Sequence, residues 1–419
     1  MPKAVVVGAG IVGLSSAWHL QKRGWEVTIV SPQEPQSQGC SFGNGGLIVP
    51  SHFVPLASPG LLKTGLKLMF QPKGPFGFSS LLDFKTLSWA FKFLLSAKKS
   101  HVEAASPLIR DLNLIGRREH KLLVEELGAD CGYRQDGLTM VCLDSHAWEE
   151  EREFGESAIK MGLGVDFLTP ADLRKIEPTF TPNLQGGVRF KDDGQVDPLD
   201  MMVRLASALK ERGVQFVTST VKAVRLEGGK ARAISTTDGQ EIQADAFVLA
   251  AGVWSREVGS SLGINLPLLA GKGYGVNLWD EARPSIPAIL VEARVAVTPF
   301  ADRTRFVGTM ELGPNKLTIN QARLAGMEEA IRRFYPGLGA LDITPDGKKD
   351  EAWVGLRPCA PDGLPYLGAL PTAQNLIVAA GHGMMGMSMG PVTGLIVSQL
   401  LSQESPELDL SLLSPTRHA

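Results

Sequence analysis

The sequence of 419 residues has few cysteines, almost no net charge and no long uninterrupted apolar run. Its four cysteines form no CxxC pair, which argues against a disulfide framework or a metal site and indicates a reducing compartment. A net charge of −2 excludes a strongly basic nucleic-acid binder as the default class. We predict no membrane-spanning helix, which would need roughly 18 consecutive apolar residues. We therefore expect a cytoplasmic protein.

The first 30 residues predict a strand, a helix and a second strand. The N-terminus has the charged and apolar order of a signal peptide, but glycines interrupt the run and Lys22 and Arg23 follow it. Gly8, Gly10 and Gly13 instead form the pattern G-x-G-x-x-G between the predicted strand and helix. Such glycines permit a tight turn, a close approach to a pyrophosphate and close packing of helix on strand. The segment is therefore predicted to bind a dinucleotide at the helix N-terminus.

One residue of the dinucleotide pattern is missing. An Asp or Glu usually ends the second strand and binds the ribose hydroxyls. Ser31 stands at that position here, with Glu34 nearby. Because a serine can still make one hydrogen bond, Ser31 remains a predicted ribose contact.

Two further glycine-rich segments lie far from the first. "GCSFGNGGLIVP" covers 39–50, and "GHGMMGMSMGPVTG" covers 381–394 after another apolar strand. A flat ring can approach a backbone that carries no side chains. Ligands bind at the carboxyl ends of strands in a doubly wound sheet, so neighbouring strands would join these segments into one site. The late return of the chain favours FAD over NAD, with the N–H groups of 385–388 facing the flavin pyrimidine.

Taken together, these motifs resemble the D-amino acid oxidase (DAO) superfamily of FAD enzymes, most closely the bacterial D-amino acid dehydrogenase small subunits. The resemblance runs from end to end and rests on "VVVGAGIVGLSSAWHL", "CSFGNGGLIVP", "AAGVWS", "KGYGVNL", "GLRPCAPDGLPYLG" and "GHGMMGMSMG". It implies an α/β fold, with a Rossmann-like FAD-binding domain of the glutathione-reductase type interleaved with an α+β substrate-binding domain on a mainly antiparallel sheet. The expected FAD-binding domain is 1–55, 186–265 and 353–419, and the substrate-binding domain is 56–185 and 266–352.

The resemblance also implies which residues bind FAD. Ser41 and Asn44 are expected to hydrogen-bond the cofactor, and the main chain of Val221 to pair with adenine. Relatives often carry a Gln where Leu47 stands, so one polar contact differs here. His382 is expected to act through its backbone. The full set of expected FAD-binding residues is Gly8, Ala9, Gly10, Ile11, Val12, Gly13, Ser31, Ser41, Asn44, Gly45, Gly46, Leu47, Ile48, Val221, Ala251, Gly252, Trp254, Gly355, Arg357, Gly381, His382, Gly383, Met384, Met385, Gly386, Met387 and Ser388.

Three residues are expected to act on the substrate. By the resemblance, Arg357 binds the α-carboxylate with two parallel hydrogen bonds; the alternative is a structural arginine paired with Asp362. Tyr274 is expected to line the pocket, and His52 to face the substrate, the alternatives being a core and a packing residue. A tyrosine that relatives carry just before the strand beginning near Arg294 is absent, which favours a cyclic imino acid such as D-proline or a hydroxy-D-proline.

The expected reaction is FAD-dependent oxidative deamination of a D-amino acid, with hydride transfer from Cα to flavin N5. The imino acid then hydrolyses to a 2-oxo acid and ammonia, and the electrons pass to a quinone or another acceptor. Alternatives are a cyclic imino acid dehydrogenase, a glycine or sarcosine oxidase, an opine-type oxidoreductase with a partner subunit, and a non-enzymatic flavin-binding protein. Covalent attachment of the flavin at Cys359 is not expected.

Residues 61–95 are rich in Leu, Phe and Lys, with apolar residues at helical spacing. One interpretation is a pair of ordinary helices packed on the second domain. The other is a monotopic patch whose lysines face anionic headgroups while Phe and Trp lie deeper. On this second interpretation the protein lies peripherally on the inner face of the cell membrane.

Overall fold

The computed structural model describes residues 1–34, 39–60, 71–80, 83–279, 282–338 and 352–418. The strands are β1 Lys3–Val7, β2 Glu26–Ser31, β3 Leu47–Ile48, β4 Phe76–Phe78, β5 Leu138–Cys142, β6 Val165–Leu168, β7 Gly186–Phe190, β8 Gly194–Gln195, β9 Gln215–Thr218, β10 Val221–Glu227, β11 Lys230–Thr236, β12 Glu241–Gln243, β13 Ala246–Leu249, β14 Leu269–Leu278, β15 Ala288–Leu290, β16 Val295–Pro299, β17 Thr304–Gly313, β18 Trp353–Cys359, β19 Tyr366–Leu370 and β20 Ala373–Ala380. The α-helices are α1 Ile11–Lys22, α2 Phe84–Ser96, α3 Lys99–Leu127, α4 Ser145–Lys160, α5 Pro170–Ile176, α6 Pro198–Glu211, α7 Ser255–Ser261, α8 Gln321–Phe334 and α9 Gly386–Leu401.

One layer of the protein is a six-stranded sheet in the order β19-β20-β13-β1-β2-β9. All neighbours are parallel except β19, which runs antiparallel to β20. β13 and nearly all of β1 are buried, which explains their unbroken apolar sequences. Because β1, β13 and β20 are neighbours, the glycines that follow each of them meet at one edge of the sheet.

Helices α1 and α9 pack together on one side of this sheet. A Cβ on Gly390 would lie 2.7 Å from the side chain of Ile11, and one on Gly394 would lie 2.4 Å from the backbone of Ser15. The contacts advance by four residues along both helices in the same direction, so the helices are parallel. Their N-termini therefore point to the same side of the molecule, at the carboxyl ends of β1 and β20.

The segment 383–401 is long and apolar enough to cross a membrane. More than half of it is buried inside the protein, however. Besides α1, it contacts α3, where a Cβ on Gly116 would lie 2.4 Å from the carbonyl oxygen of Ser388. Packing within the protein therefore accounts for its apolar sequence.

The second layer is a nine-stranded sheet in the order β18-β14-β17-β16-β15-β5-β7-β6, with β4 beside β17. Most neighbours are antiparallel. The side chains of Lys272, Tyr274 and Val276 on β14 lie on one side, which we call the core face because it carries a hydrophobic cluster with α8. Gly271, Gly273 and Gly275 lie on the other side, the site face.

The two sheets confirm the predicted fold, a Rossmann-like domain interleaved with a domain on a mainly antiparallel sheet. The predicted boundaries at 186 and 353 do not agree with the sheets, because β7 and β18 both belong to the nine-stranded sheet. Both strands come shortly before segments that join the six-stranded sheet. Their glycines resemble those of the turns in that sheet, which is why the predicted boundaries fell before them. Part of the Leu-, Phe- and Lys-rich segment, residues 61–70 and 81–82, lies outside the described residues.

Candidate active site

The N-terminus of α1 has the geometry of a phosphate-binding turn. Gly8 has φ +109°, and a Cβ there would lie 2.4 Å from the carbonyl oxygen of Ala250. A Cβ on Gly13 would lie 1.9 Å from the carbonyl oxygen of Gly8, so only glycine allows α1 to pack this close to β1. At Gly10 the nearest atom is the hydroxyl of Ser41, 3.3 Å from the Cβ position. We call the space beside the N-termini of α1 and α9, at the carboxyl ends of β1 and β20, the cleft. The backbone at Gly10 is open toward it except for this hydroxyl.

Ser41 connects a second glycine-rich segment to this turn. Its Oγ accepts a hydrogen bond of 3.1 Å from the backbone N–H of Ile11, the first residue of α1. The first turn of α1 carries no acidic side chain, and its N-cap residue, Gly10, has no side chain to cap it. The predicted hydrogen bond from Ser41 to the cofactor stays a prediction, and an anion placed beside this hydroxyl would meet a helix N-terminus.

The N-terminus of α9 lies beside the same cleft. Gly381 and Gly383 have φ +86° and +55°, and a Cβ on Gly383 would meet nothing within 4 Å. Ser388 donates to Oδ1 of Asn113 at 2.6 Å and accepts from the N–H of Val49 at 3.0 Å. The segment after 39–46 is therefore tied to α9, as 39–46 itself is tied to α1.

His382 precedes this turn and is buried. Its Nε2 lies 2.9 Å from the hydroxyl of Thr393, and burial lowers the pKa of the ring to about 4. The ring points into α9 rather than into the cleft, which agrees with the prediction of a backbone role. The backbone of Cys359, at the end of β18, forms an isolated antiparallel β-bridge with the backbone of His382. The strand that carries Arg357 is thereby joined to the start of α9.

The residues predicted to hold the adenosine end lie together. The N–H of Ser219 donates to the carbonyl oxygen of Ser31 at 3.0 Å, and Val221 begins β10 two residues later. Gly252, after β13, has φ +58° with nothing within 4 Å of its Cβ position. Glu34 pairs with Lys210 at 3.3 Å and is thus engaged on the surface.

We call residues 39–46 the glycine loop. Within it, Oδ1 of Asn44 accepts from the N–H of Gly46 at 2.8 Å. Gly46 has φ +72°, and a Cβ there would lie 2.2 Å from the carbonyl oxygen of Val196. Leu47 and Ile48 then form β3, which pairs with β8. The side chain of Asn44 thus shapes the turn and leaves a cofactor contact to the backbone.

Arg357 lies on the site face and is buried. Its Nη1 donates to the carbonyl oxygen of Thr309 at 2.7 Å, at a bulge where Thr309 has φ +66°. A Cβ on Gly273 would lie 2.2 Å from the same nitrogen, so the glycine provides the space for the guanidinium. Burial lowers the pKa of Arg357, and the groups that oppose this are the thiols of Cys40 and Cys359.

No carboxylate among the described residues lies within ion-pair distance of Arg357. The alternative partner, Asp362, is instead bound by Arg417 through two hydrogen bonds of 2.6 and 3.0 Å. The structural interpretation of Arg357 therefore lacks its partner in this part of the chain. A buried guanidinium that meets one carbonyl and two thiols is suited to an anionic ligand.

Tyr274 does not lie with Arg357. Strand alternation puts its side chain on the core face, where its hydroxyl accepts from the N–H of Asn320 at 3.0 Å. Burial raises its pKa to about 12. The prediction that Tyr274 lines the pocket is therefore corrected: in "GKGYG" the glycines face the site and the tyrosine faces the core.

His52 ends a chain of hydrogen bonds that begins at a buried acid. Ser51 donates to Oδ2 of Asp193 at 2.5 Å, and Nδ1 of His52 lies 3.0 Å from the same hydroxyl. Burial raises the pKa of Asp193 to about 7 and lowers that of His52 to about 4. With Asp193 ionised, the hydroxyl of Ser51 accepts from Nδ1–H, which leaves Nε2 of His52 as an acceptor.

Trp353 and Arg305 connect the glycine loop to the nine-stranded sheet, and neither was predicted as a site residue in this role. The ring of Trp353 lies between Gly43, Gly275 and Gly355, at 2.0 to 3.3 Å from their Cβ positions. Arg305, on β17, donates to the carbonyl oxygen of Asn44. The row of alternating glycines around Tyr274 was the available signal, because a strand without side chains must receive a large group from elsewhere.

Cys359 is buried, and burial raises the pKa of its thiol to about 12. Its carbonyl oxygen accepts from Nε1 of Trp89 on α2 at 2.9 Å. A thiol with this pKa is a poor nucleophile, which is consistent with the expectation that it does not anchor a flavin.

The residues at the cleft suit an FAD molecule. Two helix N-termini without acidic caps face it, at α1 and α9. The Cβ positions of Gly252 and Gly383 are open, and Gly10 meets only the hydroxyl of Ser41. A dinucleotide needs one such end for its pyrophosphate and one for the electron-rich edge of its ring. The three glycine clusters predicted to meet are joined by the Ser41–Ile11, Val49–Ser388 and Cys359–His382 contacts.

Comparison with known proteins gives one family. Residues 3–400 match the family described as DAO, FAD dependent oxidoreductase. The chain is 32% identical to the D-amino acid dehydrogenase of Paramagnetospirillum magneticum over 412 residues, which cover 96% of this chain and 95% of that protein. It is 32% identical over 420 residues to the protein of the same name from Vibrio cholerae, with 98% of each chain covered.

Solved structures agree on the fold. Glycine oxidase from Geobacillus kaustophilus superposes with a TM-score of 0.77 at 24% identity, with all of both chains covered. L-proline dehydrogenase from P. horikoshii gives a TM-score of 0.73 at 19% identity and covers 99% of this chain and 97% of its own. At these identities the likeness shows a common fold, which supports the predicted two-domain architecture.

Proposed function

The chain belongs to the DAO family of FAD-dependent oxidoreductases, and from this premise we propose that it dehydrogenates a D-amino acid. Family membership confirms the predicted cofactor, FAD, and the oxidoreductase activity. Two relatives at 32% identity over nearly the whole chain are D-amino acid dehydrogenases by name. The substrate itself is the proposed step, and it depends on one observation, the carboxylate-free guanidinium of Arg357.

Arg357 binds the substrate carboxylate in this proposal. Thr309 occupies Nη1, and the remaining N–H groups of the guanidinium are oriented by that bond. A bidentate pair fixes both the position and the orientation of a carboxylate. Arg357 lies on the same strand and the same face as Trp353, whose Nε1 donates to the carbonyl oxygen of Gly39, so a substrate held at Arg357 lies beside the loop. The α-carbon then has one orientation, which is the requirement for stereospecific oxidation.

Bound FAD supplies the hydride acceptor for such a reaction. The residues of the chain bind the cofactor and orient the substrate in this proposal. The glycine loop and the α9 N-terminus would hold the ring, and the α1 N-terminus the pyrophosphate. His52 faces the substrate amine in this proposal, with Nε2 available to accept a hydrogen bond from it. Because burial lowers the pKa of His52 to about 4, the substrate reacts as the neutral amine and no side-chain base is required. Phe53, next to His52, belongs to the same buried hydrophobic cluster as Val291.

A cyclic imino acid is the second candidate substrate. It is favoured by the absence of the tyrosine that relatives carry just before the strand beginning near Arg294. Without that tyrosine, the carboxylate depends on Arg357 alone and more room is left for a ring. A secondary amine such as D-proline would give a cyclic imine, which does not have to hydrolyse.

An anaerobic panel tests the function. The yellow holoenzyme is mixed with D- and L-amino acids, D-proline, hydroxy-D-prolines, glycine and sarcosine, and flavin bleaching is followed. We expect D-amino acids to bleach it and L-enantiomers to leave it yellow. Fastest bleaching by D-proline or a hydroxy-D-proline would select the second candidate. Bleaching by glycine and sarcosine alone, or by none of these compounds, would contradict the proposal.

Arg357 variants test the observation on which the proposal depends. Arg357→Ala should keep its FAD and lower kcat/KM by about 10³, or about 4 kcal/mol, with the loss mainly in KM. Arg357→Lys keeps the charge without the bidentate geometry and should recover only part of it. The control is Arg204→Ala, which removes an exposed arginine paired with Asp200. Unchanged kinetics in Arg357→Ala would remove this residue from the site.

The electron acceptor is a membrane quinone in this proposal, reached through α2. The exposed side chains of Phe84, Leu87, Phe91, Leu94 and Leu95 lie at helical spacing on one face of α2. On the opposite side, Trp89 is buried and bound to the carbonyl oxygen of Cys359, two residues from Arg357. Residues 84–96 contain two lysines and no acidic residue. An exposed apolar face with cationic side chains suits an anionic bilayer, which would place the protein peripherally at the membrane.

Liposome flotation tests this membrane contact. Vesicles with anionic phosphatidylglycerol should float the holoenzyme better than phosphatidylcholine vesicles do. Phe91→Glu should abolish flotation and leave bleaching in solution unchanged. Ile159→Glu is the matched control, because Ile159 is an equally accessible apolar side chain on α4. Flotation that survives Phe91→Glu, or that is lost in both variants, would contradict the assignment to α2.

A further inference from the structure

The nine-stranded sheet presents a set of hydrogen-bond donors to the glycine loop. Thr298 Oγ1 donates to the carbonyl oxygen of Gly45 at 2.6 Å. Nη1 of Arg305 donates to the carbonyl oxygen of Asn44 at 3.0 Å, with that of Phe42 at 3.5 Å. Nε1 of Trp353 donates to the carbonyl oxygen of Gly39 at 3.3 Å. All three donors come from one domain and all the acceptors are backbone atoms of a loop from the other.

We propose that Arg305 is a positioning residue for FAD, which holds the glycine loop with its carbonyl groups toward the sheet and its N–H groups toward the cofactor. The carbonyl and the N–H of a trans peptide point in opposite directions, and the described residues contain no cis peptide. Carbonyl groups of Gly39, Phe42 and Asn44 that point to the sheet therefore direct the next N–H groups away from it. In this proposal those N–H groups are the ones presented to the cofactor.

Arg305 is an unusual choice for a structural residue. It is buried, and burial with the nearby charge of Arg303 lowers its pKa to about 10. Its Nε donates to Oδ1 of Asn277 at 2.9 Å, so the described residues offer it amide and carbonyl oxygens and no direct carboxylate. Burying a charge is costly unless it makes several good hydrogen bonds. Those bonds are made to the loop that holds the ring.

Arg303, two residues away on the adjacent chain segment, provides a matched comparison. It is equally buried, and it pairs with both carboxylate oxygens of Asp197 at 2.8 and 3.0 Å and with Asp302 at 2.6 Å. Among the described residues, Arg303 makes no hydrogen bond to the glycine loop. Loss of Arg303 should therefore cost stability, whereas loss of Arg305 should cost cofactor affinity.

The experiment measures FAD affinity of refolded apoprotein by quenching of FAD fluorescence. Arg305→Met should raise the Kd for FAD at least tenfold and blur the vibronic shoulders of the bound flavin spectrum. Arg305→Lys keeps a charge that can reach one carbonyl, and should recover part of the affinity. Arg303→Met should lower the urea midpoint and leave the Kd within threefold of the wild-type value.

A fourth variant covers the case in which Arg305→Met does not fold. Thr298→Val removes the donor to Gly45 at almost constant volume, and it should raise the Kd three- to tenfold. A wild-type Kd in both Arg305→Met and Thr298→Val, or an equal rise in Arg303→Met, would overturn the proposal. The proposal depends on the family's cofactor and not on the substrate, so a negative substrate panel would leave it intact.

Discussion

The two faces of the nine-stranded sheet treat buried charge in opposite ways. On the core face, Glu311 lies 2.9 Å from Nζ of Lys272 and 3.2 Å from Nε of Arg323. On the site face, Arg357 meets a backbone carbonyl and two thiols. The same strand, β14, carries Lys272 toward one environment and Gly273 toward the other. The charges of the core face are thus neutralised where they lie, while Arg357 has no counterion among the described residues, as the proposed carboxylate-binding role requires.

A second pair of residues repeats the contrast for acids. Glu311 has two cations, whereas Asp193, equally buried, accepts from the backbone and the hydroxyl of Ser51 and has no direct ion pair among the described residues. Its raised pKa follows from that difference. A buried group without a counterion is destabilising. Such groups are tolerated near an active site because a ligand or a proton completes them.

The largest expected effect comes from breaking the core-face cluster. Glu311→Gln would leave Lys272 and Arg323 buried without their counterion, and should lower the free energy of unfolding by about 3–5 kcal/mol. The measurement is the urea midpoint. Glu329→Gln is the control, since that carboxylate pairs with Lys73 on the exposed surface and should cost less than about 1 kcal/mol. Equal midpoints in the two variants would contradict the contrast.

A smaller effect is expected where the site face depends on missing side chains. Gly273→Ala places a methyl group about where the guanidinium of Arg357 lies, 2.2 Å from Nη1. We expect kcat/KM to fall at least tenfold, or about 1.4 kcal/mol, while FAD content stays at the wild-type level. Gly337→Ala, whose Cβ would meet nothing within 4 Å, should change neither quantity. Wild-type kinetics in Gly273→Ala would show that Arg357 does not need this space.

The smallest expected effect is the pH dependence due to Asp193. Its pKa is raised from 3.8 to about 7 on folding, so the folded state binds the proton more tightly than the unfolded chain does. Stability from this group is therefore present at low pH and is lost as pH rises from about 4 through 7. Asp193→Asn should flatten the fall of the urea midpoint between about pH 4 and 7.

Asp166→Asn is the control for that measurement, because Asp166 pairs with Lys191 on the surface. It should keep the wild-type pH dependence. A steeper or unchanged slope in Asp193→Asn would contradict the prediction that Asp193 causes this pH dependence.

Much of the fold and part of the site were predictable from local sequence. Gly13 must be glycine for a local reason, because its Cβ position falls on the carbonyl oxygen of Gly8 in the same turn. Gly8 has φ +109°, a local backbone requirement, and its Cβ position also falls on Ala250 after the distant strand β13. The strand–glycine–helix order could therefore be recognised without any long-range information. The prediction for Tyr274 was wrong for a reason that was also local. Its immediate neighbours, Gly273 and Gly275, face the site, so strand alternation directs Tyr274 to the other face.

Other features could not be predicted in this way. Arg305 and Trp353 contact the glycine loop across more than 250 residues of sequence, and their own strands give no sign of that partner. The Ser51–Asp193 pair is similar, since neither residue is in a recognisable motif. The boundaries at 186 and 353 missed β7 and β18 because sheet membership depends on a neighbour strand that is distant in the chain.

The amino-acid sequence by itself determined the dinucleotide-type turn and indicated the FAD-dependent family, while the carboxylate-binding role of Arg357 stays a prediction from the resemblance. The turn follows from a short segment in which steric limits on backbone and Cβ atoms leave glycine as the acceptable residue. Only the tertiary structure decided which arginine lacks a counterion, which face of β14 is the site and which residues hold the glycine loop. Those properties belong to pairs of atoms that folding brings together, and burial then fixes their energies.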